Sequence, residues 1–516
     1  MKKRYREDVK NSMGRVFFAG IACILQVIWL LVTLLRLYQS YAVLSALVHI
    51  LTVVVVLRLF GKHSNTTIKL SWIVFIMAAP LFGLAFYFLS TGSNFVRTMG
   101  KRFQNIDRML FPFLRQDAAA FRHLREDNVG AANQAYFLWN TAGFPVYEDT
   151  EVRYFSEASA GLAAQKEALR KAEKFIFMEY HAIEDREAFG ELTEILAERA
   201  AHGVEVRLFY DDVGSLGFVS QQFLRKMQAL GIQCRVFNPV VPFLNIFMNN
   251  RDHRKLTVID GRVGFTGGYN LADEYFNITH PLGYWKDTGL MLQGGAVRTL
   301  TVLFLEMWNA MNRRGLEDIR PYLLPTEAFP ALQGRGFVQP YGDSPLDEKR
   351  TGEDVYLNLL RNARQYVFIM TPYLIITDDM TRELTSCARR GVDVRIITPG
   401  VPDKKLIYQM TRSYYGALAR EGVRIYEYTP GFCHAKMMVS DDELAVVGTI
   451  NLDYRSLYHH FENAVLLCGC PCVAEIRDDL MQCISVSREV TAKYGSERSA
   501  ALRMGQCVLR LFAPLM

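Results

Sequence analysis

One long pattern occurs twice in this 516-residue chain and constrains its fold more than any other feature. HRKLTVIDGRVGFTGGYN occupies residues 253–270, and HAKMMVSDDELAVVGTIN occupies residues 434–451. Both follow H-x-K-x4-D-x6-G-[GT]-x-N, with 17 positions from histidine to asparagine (270 − 253 and 451 − 434). A single H-x-K match carries no information, but two complete copies at corresponding places indicate an internal duplication.

The sequence around the two copies repeats as well. GVEVRLFYDD (203–212) corresponds to GVDVRIITPG (391–400), and GIQCRVFNP (231–239) corresponds to GVRIYEYTP (422–430). Helical runs alternate with these short β-branched segments, which is typical of βα units. We therefore predict an α/β fold with two tandem domains, at 133–316 and 336–516, joined by a proline-containing linker at 317–335. Each domain is expected to hold a mixed, largely parallel sheet flanked by helices.

The residue types in the two copies suit a phosphate diester. One of His253 and His434 can attack phosphorus in line while the other protonates the leaving alkoxide. Lysine and amide side chains can then hydrogen-bond the non-bridging oxygens, and small residues let the backbone approach closely. The predicted phosphate contacts are Lys255, Lys436, Asn270, Asn451, Gly268 and Thr449.

The aspartate of each copy, Asp260 and Asp441, stands at an odd spacing from its own histidine. On a regular strand it therefore faces away from that histidine. We predict a catalytic role in which each aspartate orients the histidine of the other half, and the alternative is a carboxylate that supports a strand-end turn. Glu179, a lone carboxylate in the apolar run FIFMEYHAIED, is a further candidate for the site, with a strand-end residue as the alternative.

These motifs resemble the phospholipase D superfamily, and NNRDHRKLTVIDGRVGFTGGYNLADEYFN, YWKDTGLMLQGGAV and SYYGALAREGVRIYEYTPGFCHAKM resemble bacterial cardiolipin synthases. The likeness extends over nearly the whole chain. It implies two phospholipase D-like domains with one active site between them, His253 as nucleophile and His434 as acid and base. Asp287 falls where that family carries an aspartate. The residues alone leave the order of the two histidines open.

The resemblance also implies a reaction. Two phosphatidylglycerol molecules are joined into cardiolipin and glycerol is released, with no cofactor. Hydrolysis to phosphatidic acid and transfer from phosphatidylethanolamine remain alternatives, because the acceptor depends on the shape and dryness of the pocket. A silent membrane scaffold is disfavoured, because both motifs are complete.

The N-terminal segment predicts an integral membrane protein. Val16–Leu35 and Leu70–Leu89 are each 20 residues long without a charge, a length that crosses a bilayer, and Ala42–Leu57 is a shorter apolar run. We predict a membrane anchor of two to three helices over residues 1–91, followed by a basic juxtamembrane linker at 92–132. This places the protein in the bacterial plasma membrane as a multi-pass protein, while the basic residues on both sides leave its orientation open.

The composition of the chain indicates which kinds of binding partner to expect. A net charge of +6 suits anionic membrane lipids but is too small for strong polyanion binding, which disfavours a nuclease and a nucleic-acid partner. Nine scattered cysteines predict reduced thiols, and CGCPC at 468–472 predicts a turn after a strand rather than a metal site. We therefore expect no metal. The apolar insertion 240–250 is a candidate acyl-chain entry or a packed loop, and the sequence sets no oligomeric state.

Overall fold

The computed structural model describes most of the chain. The described residues are 41–63, 65–91, 94–219, 221–239, 249–312, 315–324, 335–347, 349–496, 500–511 and 513, with short helical pieces of 20–36. Nine of the 20 residues of the predicted run Val16–Leu35 lie outside the described residues, and the insertion at 240–250 lies almost entirely outside them.

Between residues 41 and 91, the described residues form three apolar helices, α1 (Ala42–Gly61), α2 (Thr66–Ala78) and α3 (Pro80–Thr91). Among the described residues, α1 is the one helix that is long and apolar enough to cross a membrane. Ala42–Leu57 is therefore part of a full 20-residue helix. The prediction that Leu70–Leu89 forms one continuous membrane-spanning helix is wrong. Pro80 has no backbone N–H and forces Ala79 out of the helical region of φ and ψ.

The predicted linker at 92–132 is also wrong. These residues form α4 (Asn94–Leu110), α5 (Ala118–Asp127) and the start of α6 (Val129–Phe137). Phe103, Ile106 and Leu124 are buried in the main hydrophobic core. The basic residues that suggested a linker occupy the outer faces of amphipathic helices, whose apolar faces pack on the rest of the protein.

The first half forms a seven-stranded sheet with strand order β1-β9-β7-β6-β2-β3-β4. The strands of this half are β1 (Thr150–Phe155), β2 (Phe175–Tyr180), β3 (Glu205–Asp211), β4 (Gln233–Phe237), β5 (Arg251–Asp252), β6 (Lys255–Ile259), β7 (Val263–Gly267), β8 (Tyr284–Lys286) and β9 (Gly289–Gly294). Its helices are α7 (Ala158–Arg170), α8 (Glu187–Ala201), α9 (Gln221–Ala229) and α10 (Val297–Ala310).

The second half repeats this plan with strand order β10-β17-β16-β15-β11-β12-β13-β18. Its strands are β10 (Phe337–Asp343), β11 (Tyr366–Met370), β12 (Asp393–Pro399), β13 (Arg424–Tyr428), β14 (Gly431–Cys433), β15 (Met437–Ser440), β16 (Leu444–Gly448), β17 (His460–Cys468) and β18 (Ser487–Glu489). Its helices are α11 (Thr351–Asn362), α12 (Asp378–Arg389), α13 (Lys405–Ala419), α14 (Tyr454–Tyr458), α15 (Cys472–Ser485), α16 (Thr491–Gly495) and α17 (Ala500–Leu511).

Both sheets are mixed, but the expectation that they are largely parallel is wrong. Among the described residues, the parallel pairs along the two main strand orders are β2–β3 and β3–β4 in the first sheet and β11–β12 and β12–β13 in the second, and the short strand β5 adds a parallel pair with β17. The motif strands β6 and β15 pair antiparallel with β7 and β16 across tight turns. Such short connections permit antiparallel pairing alone, whereas the βα units that the sequence revealed account for the parallel pairs.

The two halves share one core and exchange short strands. Helix α10 is buried along its whole length and contacts β6 of the first sheet and β10 of the second. Strand β5 of the first half pairs in parallel with β17, and β14 of the second half pairs in parallel with β8. The domains predicted from the sequence are therefore repeats in topology that fold against one another rather than separate bodies.

Two smaller predictions concern segments at the edges of the repeats. The predicted linker 317–335 is described in part, and there Tyr322 packs on Phe175 and receives a hydrogen bond from Arg207. CGCPC forms the expected turn, because β17 ends at Cys468, Gly469 adopts a positive φ of 63° and α15 begins at Cys472. The eight cysteines that the structure describes are free thiols.

Candidate active site

The exchanged strands place one histidine of each half against the other half. His253 follows β5 directly, and its backbone N–H donates to Phe461 O at 2.8 Å. His434 follows β14 directly, and its N–H donates to Lys286 O at the same distance of 2.8 Å. The next residue after each acceptor is a carboxylic acid, Glu462 or Asp287, so the strand register sets both side-chain contacts.

Each histidine is paired with a carboxylate from the opposite half. His253 Nδ1 lies 2.9 Å from both carboxylate oxygens of Glu462, and His434 Nδ1 lies 2.7 Å from Asp287 Oδ2. A carboxylate on Nδ1 fixes the ring orientation and leaves Nε2 for chemistry. The structure thus brings Asp287 into the site as a partner of His434, and it adds Glu462, which the sequence reasoning missed.

Both histidines are buried, and burial is the main influence on their pKa values. Burial, reinforced by Lys255, holds the pKa of His253 well below its usual value. Burial and Lys436 lower the pKa of His434 to about 4. The charge of the lysine of the opposite half contributes to both shifts. Both rings are neutral near pH 7 and can act as nucleophile or base.

The two carboxylates differ in their proton affinity. Although burial opposes ionisation, His434 and Lys436 keep the pKa of Asp287 below its usual value. Burial raises the pKa of Glu462 well above its usual value, against the attraction of Lys255. The duplicated geometry therefore carries unequal electrostatics, with a firmly ionised partner on His434.

The motif lysines lie beside the histidine rings. Lys436 Nζ is 3.1 Å from His434 Nε2, and Lys255 Nζ donates to His253 O at 2.7 Å. Burial lowers the pKa of Lys255 to about 7 and that of Lys436 to about 8. An ammonium carries three donors. Lys255 Nζ uses one of them on His253 O, whereas Lys436 Nζ contacts both the ring and the backbone oxygen of His434. A bound phosphate diester would stabilise the charged form of both.

The catalytic role predicted for Asp260 and Asp441 is wrong. The Asp260 carboxylate accepts hydrogen bonds from the backbone N–H groups of residues 173–175 at 2.7–2.8 Å. The Asp441 carboxylate accepts hydrogen bonds from those of residues 364–366 at 2.8–2.9 Å. Both residues adopt a positive φ, of 53° and 56°, at the turn after the motif strand. Their carboxylates therefore anchor the entry to β2 and β11, which is the strand-end role that the sequence left as the alternative.

The predicted phosphate ligands divide into two groups. Asn270 is held within its own half, since Oδ1 accepts from Ala182 N at 3.1 Å and Nδ2 donates to Tyr275 at 2.8 Å. Asn451 Oδ1 is buried without a hydrogen-bond partner among the described residues. A phosphate contact stays a prediction for both asparagines, and for the second the unsatisfied atom supports a ligand-facing position.

Gly268 and Thr449 occupy equivalent positions but act differently. A Cβ atom on Gly268 would lie 2.0 Å from Asp287 Oδ1, so the absence of a side chain there makes room for that carboxylate. In the second copy the Thr449 hydroxyl donates to Glu462 Oε2. Gly268 and Thr449 thus help to position the two carboxylates that pair with the histidines, and their contact with phosphate stays a prediction.

The surroundings of the two histidines break the symmetry. His460 and Trp285 each precede the paired carboxylate by two positions, and each ring lies 5.6 Å from its neighbouring catalytic ring, His253 or His434. A second neighbour is His181 at 5.0 Å from His253 and Tyr275 at 5.2 Å from His434. Among the described residues, neither ring nitrogen of the buried His460 has a partner. One side of the site is therefore lined by imidazoles and the other by aromatic rings.

Glu179 lies on β2, opposite Leu256 of the motif strand β6. Both of its carboxylate oxygens and Asp252 Oδ2 are buried without hydrogen-bond partners among the described residues. Burial, followed by the charge of Asp252, raises the pKa of Glu179 well above its usual value. A protonated Glu179 can donate to Asp252, whose backbone oxygen lies 2.7 Å from His181 Nδ1. Glu179 therefore supports the strand that leads to His253.

Within the described residues, no group of three or more His, Cys, Asp or Glu side chains is arranged to hold a metal ion. The positive charge of the site comes from its two lysines. The site holds two buried histidines on opposite halves, each with a carboxylic acid side chain next to its Nδ1 atom. This arrangement is suited to transfer of a substituted phosphate group through a covalent phosphohistidine.

Comparison with known proteins agrees with this geometry. Residues 166–304 and 356–484 match the family described as "Cardiolipin synthase, PLD-like domain", and residues 48–90 match "Phospholipase_D-nuclease N-terminal". The chain belongs to the cardiolipin synthase family. Membership of this family identifies it as a phosphatidyltransferase of the phospholipase D superfamily, and the N-terminal match together with α1 associates it with the membrane.

Several relatives cover nearly the whole chain. A cardiolipin synthase of Halalkalibacterium halodurans is 32% identical over 92% of this chain and 93% of its own length. A cardiolipin synthase of Geobacillus thermodenitrificans is 30% identical over 96% of this chain and 99% of its own length. An uncharacterised Streptococcus mutans protein is 41% identical over 89% of this chain and 99% of its own length.

A solved structure shares the fold. The phosphatidylserine synthase of Haemophilus influenzae superposes with a TM-score of 0.56 at 13% identity, covering 74% of this chain and 98% of its own. This likeness supports the arrangement of two phospholipase D-like repeats.

Proposed function

We propose that this member of the cardiolipin synthase family joins two phosphatidylglycerol molecules into cardiolipin and releases glycerol. The observation that carries the proposal is the crossed pairing of His253 with Glu462 and of His434 with Asp287 at one interface. Two nucleophile-and-acid units facing one another supply what a double displacement at phosphorus requires.

In the first half-reaction, Nε2 of one histidine attacks the phosphorus of a phosphatidylglycerol in line. A P–N bond forms, the P–O bond to the glycerol headgroup breaks, and the second histidine gives its Nε2 proton to the departing oxygen. The products are a phosphatidylhistidine and free glycerol. Following the family resemblance, we assign the attack to His253 and the proton transfer to His434.

In the second half-reaction, a glycerol hydroxyl of another phosphatidylglycerol replaces the glycerol that left. The second histidine, now neutral, takes the proton of that hydroxyl, the oxygen attacks phosphorus, and the P–N bond breaks. Cardiolipin leaves and both histidines return to their starting protonation. Because the same P–O bond type is broken and made, no cofactor takes part in this scheme.

The lysines and carboxylates stabilise these steps. Lys255 and Lys436 bind the non-bridging oxygens, where negative charge concentrates in the transition state. Glu462 and Asp287 hold Nδ1 of each histidine, so that Nε2 faces phosphorus and the imidazolium is stabilised when it forms. The low pKa of both histidines in the empty site keeps one of them unprotonated for attack, and a bound anionic diester favours protonation of the other.

Mass spectrometry of the products tests the reaction. Purified protein in phosphatidylglycerol vesicles with ¹⁸O-labelled water is expected to give cardiolipin and unlabelled glycerol in equal amounts. Phosphatidic acid carrying ¹⁸O would instead identify hydrolysis, with water as the acceptor. Vesicles that also hold isotope-labelled phosphatidylethanolamine identify the donor, because the label enters cardiolipin only if that lipid supplies the phosphatidyl group.

We further propose that the protein is integral to the bacterial plasma membrane and in contact with anionic lipids. Helix α1 has 20 residues and a mean hydropathy of 2.5, and eight of its large apolar side chains are strongly exposed. A helix of this length matches the hydrocarbon thickness of a bilayer. The run Val16–Leu35 would supply a second span and make the protein multi-pass. Retention of the protein in the membrane fraction after carbonate washing supports this placement, and release into the supernatant contradicts it.

A further inference from the structure

Helices α2 and α3 form a tight antiparallel hairpin. The ring of Trp72 lies 5.4 Å from that of Tyr87 and 6.1 Å from that of Phe86. Nearer the turn, a Cβ atom on Gly83 would lie 2.5 Å from the Cα atom of Ile76. The two helix backbones therefore touch, and the chain reverses its direction at Ala79 and Pro80.

Neither arm of the hairpin is long enough to cross a bilayer. Arms of 13 and 12 residues reach about 20 Å and 18 Å at 1.5 Å per residue, against a hydrocarbon core of about 30 Å. The turn is nevertheless compatible with a membrane interior, since Ala79 N–H donates to Phe75 O and Gly83 N–H donates to Ala79 O. Large apolar side chains are exposed on both arms: Leu70, Val74, Phe75, Met77, Phe86 and Phe88.

Both ends of the hairpin are attached to the catalytic region. At the start of α2, Asn65 Nδ2 donates to the Tyr458 hydroxyl at 2.8 Å, and that hydroxyl donates to Glu353 Oε2 at 2.5 Å. Beyond the end of α3, α4 begins at Asn94, and its residues Phe103 and Ile106 are buried in the main core. The base of the hairpin thus lies beside the catalytic halves, whereas Ile76 and Leu84 nearer its turn belong to a separate apolar cluster with residues of α1.

We propose that residues 66–91 are a re-entrant hairpin that enters and leaves the bilayer on the side of the catalytic halves. The proposal rests on the membrane placement proposed above and commits to lipid hydrocarbon as the partner of the exposed apolar side chains. It leaves α1 as the span nearest to the catalytic region, so that Tyr41 lies on the opposite side from Lys62.

The attachment also sets the position of the active site. Tyr458 belongs to α14, which separates Asn451 of the second motif from His460 and Glu462 on β17. The contact from Asn65 to Tyr458 therefore holds this part of the site next to the base of the hairpin. A substrate whose acyl chains stay in the bilayer has its phosphate at that level.

Cysteine labelling in oriented membrane vesicles tests the hairpin. Lys62→Cys, Arg97→Cys and Tyr41→Cys are each made in a full-length chain that carries Cys23→Ala and Cys507→Ala, and are treated with an impermeant maleimide. We expect positions 62 and 97 to be labelled in the same vesicle orientation and position 41 in the opposite one. Labelling of 62 and 97 from opposite sides would make residues 66–91 a span and overturn the proposal. Cardiolipin formation, measured on the same membranes, reports separately on the proposed function.

Removing the attachment gives a second test. Tyr458→Phe deletes the hydroxyl that bridges Asn65 and Glu353. Loss of a hydrogen bond costs about 1 kcal/mol, and a productive placement of the site that is less favourable by this amount reduces the rate roughly five-fold. We expect that reduction with phosphatidylglycerol in vesicles and a rate near the unmodified one with a short-chain, micellar phosphatidylglycerol. Tyr366→Phe, which removes a hydroxyl bonded to Asp442 at the far end of the second sheet, is the matched control. Equal losses on both substrates would contradict a role in membrane positioning.

Discussion

His253 of the first half contacts Glu462 of the second half at 2.9 Å, and neither half alone contains a complete histidine–carboxylate pair. The reciprocal contact of His434 with Asp287, at 2.7 Å, makes the arrangement a crossed one. The active site therefore exists only when β5 pairs with β17 and β14 pairs with β8.

The crossed carboxylates are expected to be essential for turnover. Glu462→Gln and Asp287→Asn keep the shape of the side chain. Asp287→Asn loses the charge that stabilises an imidazolium, and Glu462→Gln loses a group that can accept a proton from His253. By comparison with histidine–carboxylate pairs elsewhere, we expect turnover to fall roughly 10²- to 10⁴-fold. Cardiolipin formation in phosphatidylglycerol vesicles measures this, with circular dichroism to check folding and the exposed Asp379→Asn as control. Turnover within about two-fold of the unmodified enzyme would exclude the pairing from the mechanism.

The motif aspartates are expected to affect stability rather than chemistry. In the unmodified protein, both carboxylate oxygens of Asp260 and of Asp441 accept hydrogen bonds from backbone N–H groups. In Asp260→Asn and Asp441→Asn, an amide nitrogen replaces one of these oxygens and cannot accept such a bond. We expect the free energy of unfolding to drop by about 1–3 kcal/mol per variant, while turnover per folded molecule stays near normal. Thermal unfolding in detergent together with active-site-normalised rates separates the two effects. A turnover loss with unchanged unfolding would restore the catalytic role.

Gly268→Ala is expected to disable the site by displacing Asp287. The added methyl group would lie 2.0 Å from Asp287 Oδ1, and the short buried aspartate can give way only by leaving His434. We expect a loss of turnover that approaches that of Asp287→Asn. The control is Gly190→Ala on α8, where a Cβ atom meets no heavy atom within 4 Å. Full activity of Gly268→Ala would show that the Asp287 contact is dispensable.

The motif lysines predict the alkaline side of the pH profile. Their pKa values of about 7 and about 8 are lowered, so the charged forms that bind an anionic diester are lost as the pH rises through this range. We expect kcat/KM to fall above about pH 7–8, and kcat to fall only at higher pH because bound phosphate stabilises the ammonium groups. Initial rates measured between pH 6 and pH 10 test this, and in Lys255→Arg the remaining decline should follow Lys436. A flat profile would contradict the assignment.

Glu179 predicts a pH-dependent contribution to stability. Its pKa in the folded protein is raised, so the folded state holds this proton more tightly than the unfolded state, and stability is lost as the pH rises above the ordinary value of 4.5. Glu179→Gln carries no such proton. We therefore expect the variant to gain stability relative to the unmodified protein between pH 5 and pH 8 in thermal unfolding. Glu167→Gln on the surface should show no gain, and parallel curves for Glu179→Gln would contradict a protonated Glu179.

Local spacing in the sequence was enough to find the histidines and lysines. Two matching copies predicted the duplication, the α/β class and the phosphodiester chemistry, and the structure and the family relationship confirm them. Spacing was a poor guide to Asp260 and Asp441, because their partners are backbone N–H groups that lie, for example, 86 and 76 residues away along the chain. Glu462 carried a usable signal, since a lone carboxylate in the apolar stretch HHFENAVLL needs a buried partner.

The parallel character of the sheets and the membrane region show a similar division. The βα units were visible in the sequence, but the antiparallel pairs between distant strands, such as β1–β9 and β10–β17, were not. Hydropathy marked Leu70–Leu89 as apolar, yet Pro80 and the contact between Gly83 and Ile76 turn that run back on itself.

The sequence by itself determined the chemical inventory of this protein: two histidines, two lysines, their strand-borne spacing and an apolar N-terminal region. Those features follow from side-chain types and from periods of two and 3.6 residues, which are local properties of the chain. Only the tertiary structure decided which acid serves which histidine. That choice depends on two short parallel strand pairs between halves whose contact residues lie 147 and 209 positions apart, and no local pattern records such a register.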